Sequence, residues 1–205
     1  MATDDQGIRV LIWDDTEGRP VGWTWDVGAP IYKLIGRFDL IINGRSWETA
    51  LDILVTELVE RGTWLRDLRF WGHGNWGRAY LRGGALTSRS LTPEGRLFPH
   101  LESLARFVRP ESLIWFRTCS SFGNVMGRAF AKALAAFFQC TVAGHTYNIG
   151  FWHSGLHTLR PLEDPSWSEA EGTVMDEKGT RQTTWSAWGR PNTVTFVRGS
   201  IPKGW

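Results

Sequence analysis

Ile8–Asp14 reads Ile-Arg-Val-Leu-Ile-Trp-Asp, an apolar run that shows no clean alternation after Gly7. Short runs of this kind mark strands buried on both faces, as in parallel sheets. Similar runs recur at Asp39–Gly44, Leu65–Gly72, Ser112–Thr118 and Cys140–Gly150. Between them the spacing changes to that of helices. In Ser46–Gly62 the apolar positions are 47, 50, 51, 54 and 58, with Ser46 placed to cap the start and Gly62 to stop the end. Pro99–Pro110 carries Leu101, Leu104, Ala105 and Val108 on one face, and Pro110 closes it. After Gly123, a third helix presents Met126, Phe130, Ala133 and Phe137 as its stripe. Arg78–Gly84 reads as part of a hairpin. Strands alternating with helices predict an α/β fold, a three-layer sandwich whose mostly parallel sheet is flanked by helices.

The end of the chain breaks this rhythm. Pro161–Gly189 is polar, charged and weakly periodic, and reads as a long loop; Asn192–Pro202 supplies a last strand. No repeat or low-complexity tract divides the chain, so residues 1–205 read as a single domain.

Composition narrows the function classes. The formal net charge is +2 and no Lys/Arg run is present, which speaks against a nucleic-acid partner. No apolar run reaches the roughly 18 residues of a membrane helix. The acidic start, Met-Ala-Thr-Asp-Asp, does not read as a secretory signal, so a cytoplasmic location is expected. Two cysteines, Cys119 and Cys140, do not make a disulfide scaffold. Thirteen tryptophans are many. Many, among them Trp71, Trp76, Trp152, Trp185 and Trp188, stand near strand ends or in loops, where they either line a groove or, on the favoured reading, serve as large hydrophobic filler.

Two of the apolar runs stop at reactive side chains. Leu68–Gly77 reads LRFWGHGNWG and stops at His73; Ser112–Gly123 reads SLIWFRTCSSFG and stops at Cys119. In open parallel sheets, ligands bind at the carboxyl ends of strands. If these two strands are neighbours, the imidazole and the thiol meet over one edge. A thiol needs a base or a depressed pKa to attack a carbonyl, and an imidazole provides the base. The amides of Gly74 and Cys119 are candidates to hold a developing oxyanion. The helix that starts after Gly123 would favour a thiolate through its dipole.

The blocks LRDLRFWGHG and SLIWFRTCSS resemble those of the caspase-like cysteine peptidases, clan CD, in which one apolar block ends in His-Gly and a second ends in the nucleophilic Cys. In caspases the His stands roughly 50 residues upstream of the Cys, and His73 and Cys119 keep a similar separation. The Cys-Ser-Ser ending is closer to separase and bacterial CHAT-type relatives than to animal caspases. The Gln-Ala-Cys-Arg-Gly signature is absent and Thr118 precedes Cys119, so an aspartate preference is not implied. The resemblance implies a caspase-like sheet and a cysteine endopeptidase with a His73–Cys119 dyad. It further implies a protein or peptide substrate, no cofactor and no metal, and room for a regulatory partner protein.

Candidate substrate contacts are Asp14 and Asp15 after the first strand, which would favour Lys or Arg at the cleavage position. Arg117 shares the face of Cys119 by alternation and either points into the pocket or is buried against a carboxylate. Trp152 and His153 stand where the resemblance places a pocket wall. Lys178 and Arg181 in the polar loop are candidate self-cleavage positions, unless Trp167, Trp185 and Trp188 pin that loop to the domain. Two other function classes stay open: a catalytically inactive interaction module on the same fold, and a metal site at His145, His153 and His157.

Overall fold

The computed structural model describes residues 7–14, 37–82, 84–198 and 200–204. In chain order the strands and helices are β1 (Ile8–Trp13), β2 (Leu40–Asn43), α1 (Trp47–Arg61), β3 (Leu65–Trp71), β4 (His73–Asn75), β5 (Arg78–Leu81), β6 (Gly84–Leu86) and α2 (Phe98–Ala105). They continue with β7 (Val108–Arg117), α3 (Asn124–Phe138), β8 (Thr141–His145), β9 (Trp152–His153), β10 (Leu156–Leu159), β11 (Thr173–Met175), β12 (Arg181–Thr183) and β13 (Val194–Thr195).

The main sheet has six strands in the order β2-β1-β3-β7-β8-β10. Five are parallel, and β10 closes one edge antiparallel to β8. The parallel strands are the apolar runs of the sequence, and helices follow β2, β7 and the β4–β6 hairpins. The caps of α1 behave as the sequence predicts. The Ser46 hydroxyl accepts from the Thr49 amide at 3.2 Å, and Gly62 ends the helix in the left-handed region (φ 60°). The second helix is shorter than expected. It ends at Ala105, and Pro110 falls in the exposed start of β7, where the register with β3 slips. A missing N–H is tolerated at such a place.

All three described helices pack on one face of the sheet. Leu54 of α1, Leu104 of α2 and Phe130 of α3 share one core with Val10, Ile12, Phe70, Ile114, Phe116 and Val142. The opposite face carries Leu11, Trp71, Trp115, Ala143 and Leu156, and among the described residues it is covered by Phe38, Val194 and Phe196. The described residues therefore form an α/β structure with helices on one side, and the expected third, helical layer is not among them. The alternate positions of that face include Asp67, Arg69 and Arg117, whose charges need ion pairs and ring faces. Arg69 is paired with Asp67, with Nη2 2.5 Å from Oδ2, and lies over the rings of Phe38 and Trp115.

The segment 161–189 is not the featureless loop that its composition suggests. It contains the hairpin β11–β12, whose turn is built on Asp176: its Oδ1 accepts from the amides of Lys178 and Thr180 at 2.9 and 2.8 Å, and Gly179 takes φ 73°. Strands of three residues are too short to show a period. Lys178 stands in this turn and Arg181 in β12. Of the three tryptophans, Trp167 alone is anchored in the core, at 4% exposure, against 62% for Trp185 and 82% for Trp188. The C-terminal strand expected over 192–202 shrinks to the two residues of β13, which pair with β9 outside the main sheet. No described helix is long and apolar enough to cross a membrane.

Candidate active site

Strands β3 and β7 are parallel neighbours, and Trp71 is in register with Arg117. His73 and Cys119 each lie two residues beyond this pair, so both arms leave the sheet at the same carboxyl edge. They stay in contact. A Cβ on Gly74 would stand 2.6 Å from both Cβ and Oγ1 of Thr118 and 2.8 Å from the carbonyl oxygen of Cys119. Only a residue without a side chain lets the His73 arm lie this close to the Cys119 arm. His73 and Cys119 flank this contact. Gly74→Ala is expected to force the arms apart, to destabilise the fold by about 1–3 kcal/mol and to lower any turnover at the site. Urea unfolding with a parallel activity assay would show it; a variant unchanged in both would mean that the arms do not touch.

After Cys119 the chain turns sharply. Ser120 sits in the left-handed region (φ 42°), a conformation that costs a non-glycine residue about 1 kcal/mol. Hydrogen bonds on both sides hold it there. The Ser120 amide donates to the Tyr147 carbonyl at 2.8 Å, its carbonyl accepts from the Gly123 amide at 3.0 Å, and the Gly77 amide donates to the Ser121 carbonyl at 3.0 Å. The Ser120 hydroxyl lies 3.5 Å from Oδ1 of Asn75 and 3.4 Å from Oδ1 of Asn148. One side chain thus reaches both the His73 arm and the loop after β8. Asn148 is in turn tied to the end of the hairpin segment, with Nδ2 donating to Thr183 Oγ1 at 2.8 Å and its amide to the Thr184 carbonyl at 2.9 Å.

The Cys119 thiol points to the Ile149 carbonyl, 3.8 Å away. Burial pushes the thiol pKa up. The resting group is therefore a thiol. Cys140, at the foot of β8, is driven further, to about 12, by burial alone.

No protein-family model, curated protein or solved structure matches the chain. The geometry alone therefore carries the functional reading.

The other expected site residues divide into two groups. Asp14 reaches the rim: its amide donates to the Trp71 carbonyl at 2.9 Å, and a Cβ on Gly72 would lie 3.1 Å from its own Cβ. It is nonetheless buried, at 4% exposure. Asp15 lies outside the described residues. Trp152 is half-buried and lines an open cleft.

Arg117 and His153 are interior residues, at 1% and 3% exposure, and Arg117 is buried against rings and a carbonyl rather than the carboxylate expected. The Arg117 guanidinium stands 4.9 Å from the ring centres of both Trp71 and Trp115, and Nη2 donates to the Phe196 carbonyl at 2.7 Å and to Nδ1 of His153 at 3.3 Å. Burial, reinforced by the Arg117 charge, holds His153 well below its ordinary pKa. His145 is lowered to about 3, chiefly by burial. Both are neutral at physiological pH.

Of the three histidines of the metal alternative, His145 and His153 pack edge to face with ring centres 5.3 Å apart, but the three are not gathered into one ligand set. Both nitrogens of His145 are engaged, Nε2 with Trp115 Nε1 at 3.2 Å and Nδ1 with the Ser154 carbonyl at 3.2 Å. His157 Nε2 instead meets Glu171 at 2.6 Å. Among the described residues no group of three or more ligating side chains is placed to hold a metal.

Asn75, Ser120 and Asn148 are the site residues that sequence reasoning misses. Ser120 is adjacent to Cys119 and carries a local signal; the two asparagines meet it only through tertiary structure.

Proposed function

We propose that the protein is a caspase-like cysteine peptidase that cleaves peptide bonds through an acyl-enzyme on Cys119, with His73 as the base. The observation that carries this reading is the pairing of Trp71 with Arg117, which sends both reactive residues off the same edge, with Gly74 packed against Thr118 and Cys119. The sheet supports it as well: five parallel strands with one antiparallel edge strand accord with the resemblance of the two sequence blocks.

The chemistry follows from the groups present. Because burial favours the protonated thiol, His73 takes the Sγ proton as attack begins. The sulfur bonds to the scissile carbonyl carbon, and the amides of Gly74 and Cys119 are the donors proposed for the oxyanion. Collapse breaks the C–N bond, and the protonated imidazole gives its proton to the leaving amine. Water, deprotonated by His73, then cleaves the thioester and releases the carboxylate product. The substrate is a protein or peptide, and a cytoplasmic setting suits a free thiol. Cleavage of a peptide library by the wild type, absent with Cys119→Ala, would support the reading. Equal cleavage by both would remove Cys119 as the nucleophile.

Burial of the Cys119 thiol against Ile149 also favours a second reading, an interaction module that no longer catalyses. Alkylation separates the two. Since the thiol is raised, iodoacetamide labelling of Cys119 should be slow at neutral pH and accelerate as pH climbs past the ordinary thiol value of about 8.5. In a dyad, His73→Ala slows the neutral-pH rate further. In a module, it leaves the whole pH profile unchanged.

A further inference from the structure

We propose that the open cleft beside Trp152 binds an acidic segment of the polypeptide substrate; the nature of the occupant rests on the peptidase reading. The cleft has a volume of about 400 Å³ and lies against the β9–β13 ribbon and the chain that follows the hairpin. Among the described residues its charged lining is Arg190 and Arg198, with no carboxylate. Neither guanidinium is ion-paired with a carboxylate among the described residues. Arg190 lies 5.8 Å from the centre of the Tyr147 ring, a contact that leaves its charge unneutralised. A concave surface lined by one sign of charge concentrates its field on ligands of the other sign.

The same cleft offers aromatic surface. Trp152 forms part of the wall, and Trp188 is 82% exposed. A large ring this open to water gains most from being covered. Two cations and two indoles match a short segment in which carboxylates alternate with apolar or aromatic side chains. A nucleic acid fits less well. Two cations neutralise few phosphates, and the chain as a whole carries only +2.

One stretch of chain links the cleft to the candidate active site. The Tyr147 carbonyl accepts from the Ser120 amide, the Ile149 carbonyl accepts from the Cys119 thiol, and three residues further on Trp152 lines the cleft. The charge preference is opposite to the one that the sequence suggested from Asp14. That carboxylate is buried at the rim, whereas Arg190 and Arg198 are exposed.

The test uses the full chain carrying Cys119→Ala, so that peptides bind without being cut. Fluorescein-labelled peptides of equal length are compared by anisotropy: one alternating Glu or Asp with Phe or Leu, one with Lys in place of each acid, and one neutral. The acidic peptide should bind about tenfold or more tighter than the basic one, and Arg190→Gln with Arg198→Gln should remove that advantage. Trp188→Ala should weaken binding of the acidic peptide without restoring that of the basic one. Equal or tighter binding of the basic peptide would overturn the inference, as would an acidic peptide indifferent to the double variant. A single-stranded oligonucleotide of matching charge that bound more tightly than the acidic peptide would overturn it too. Loss of the peptidase reading registers separately, as absence of cleavage by the wild type, and leaves the anisotropy result standing.

Discussion

Cys119→Ala should bring peptide cleavage down to background while the protein stays folded. The thiol is the group proposed to carry the acyl intermediate, and alanine leaves no nucleophile in its place. Its structural contribution is small. Among the described residues the Sγ makes one hydrogen bond, to the Ile149 carbonyl at 3.8 Å. The turn beyond it is held by backbone bonds from Ser120, Phe122 and Gly123, which the substitution leaves intact. The melting temperature should therefore move by no more than about 2–4 °C, the shift expected for about 1 kcal/mol in a domain of this size. His73→Ala should retain slow turnover, reduced by about 10²–10⁴-fold, the usual worth of a general base. Steady-state kinetics with a thermal melt on each variant would check both. A Cys119→Ala protein that unfolds would assign the residue a packing role instead.

Trp167→Ala should carry the largest stability cost of any substitution in the 161–189 segment, about 3–5 kcal/mol. Its indole is stacked on Phe122 (centroids 5.8 Å, planes 5° apart) and on His157 (4.7 Å, 17°). Its Nε1 donates to the Phe122 carbonyl at 2.9 Å. Truncation removes both stacks, opens a cavity and leaves a buried carbonyl without its donor. Trp167→Phe, which keeps a ring but not the N–H, should cost much less. Because Phe122 closes the turn after Cys119, the Ala variant should also lose activity, beyond what its stability predicts. Urea unfolding measures the first effect. A change below about 1 kcal/mol would mean that the segment is not anchored through this residue.

What was legible in the sequence was local. Helix α1 declares itself because Ser46, Gly62 and its apolar stripe all act within one element. The ends of β3 and β7 declare themselves because an apolar run that stops at His-Gly or Cys-Ser-Ser is a contiguous pattern. Where tertiary context decides, the reading slips. The stripe expected on α3 is Met126, Phe130, Ala133 and Phe137, spaced 4, 3 and 4 residues apart. The buried set is Gly127, Phe130, Ala131, Leu134, Ala135 and Phe138, while Met126 is 47% exposed. Gly127 is buried because Phe122 packs onto the helix there, a contact that favours the smallest residue. Arg117 is left by the sequence between two fates. Its burial depends on Phe196, far along the chain. Asn148 and Ser120 meet only once β8 lies beside β7.

The central claim is that His73 and Cys119 act together on one carbonyl. Its most direct test is to treat the protein with a peptidyl acyloxymethyl ketone, which traps a cysteine nucleophile as a stable thioether, and to map the adduct by peptide mass spectrometry. The account predicts a single adduct on Cys119, slowed strongly by His73→Ala and absent in Cys119→Ala. An adduct on Cys140, no adduct at all, or a Cys119 rate indifferent to His73 would contradict it.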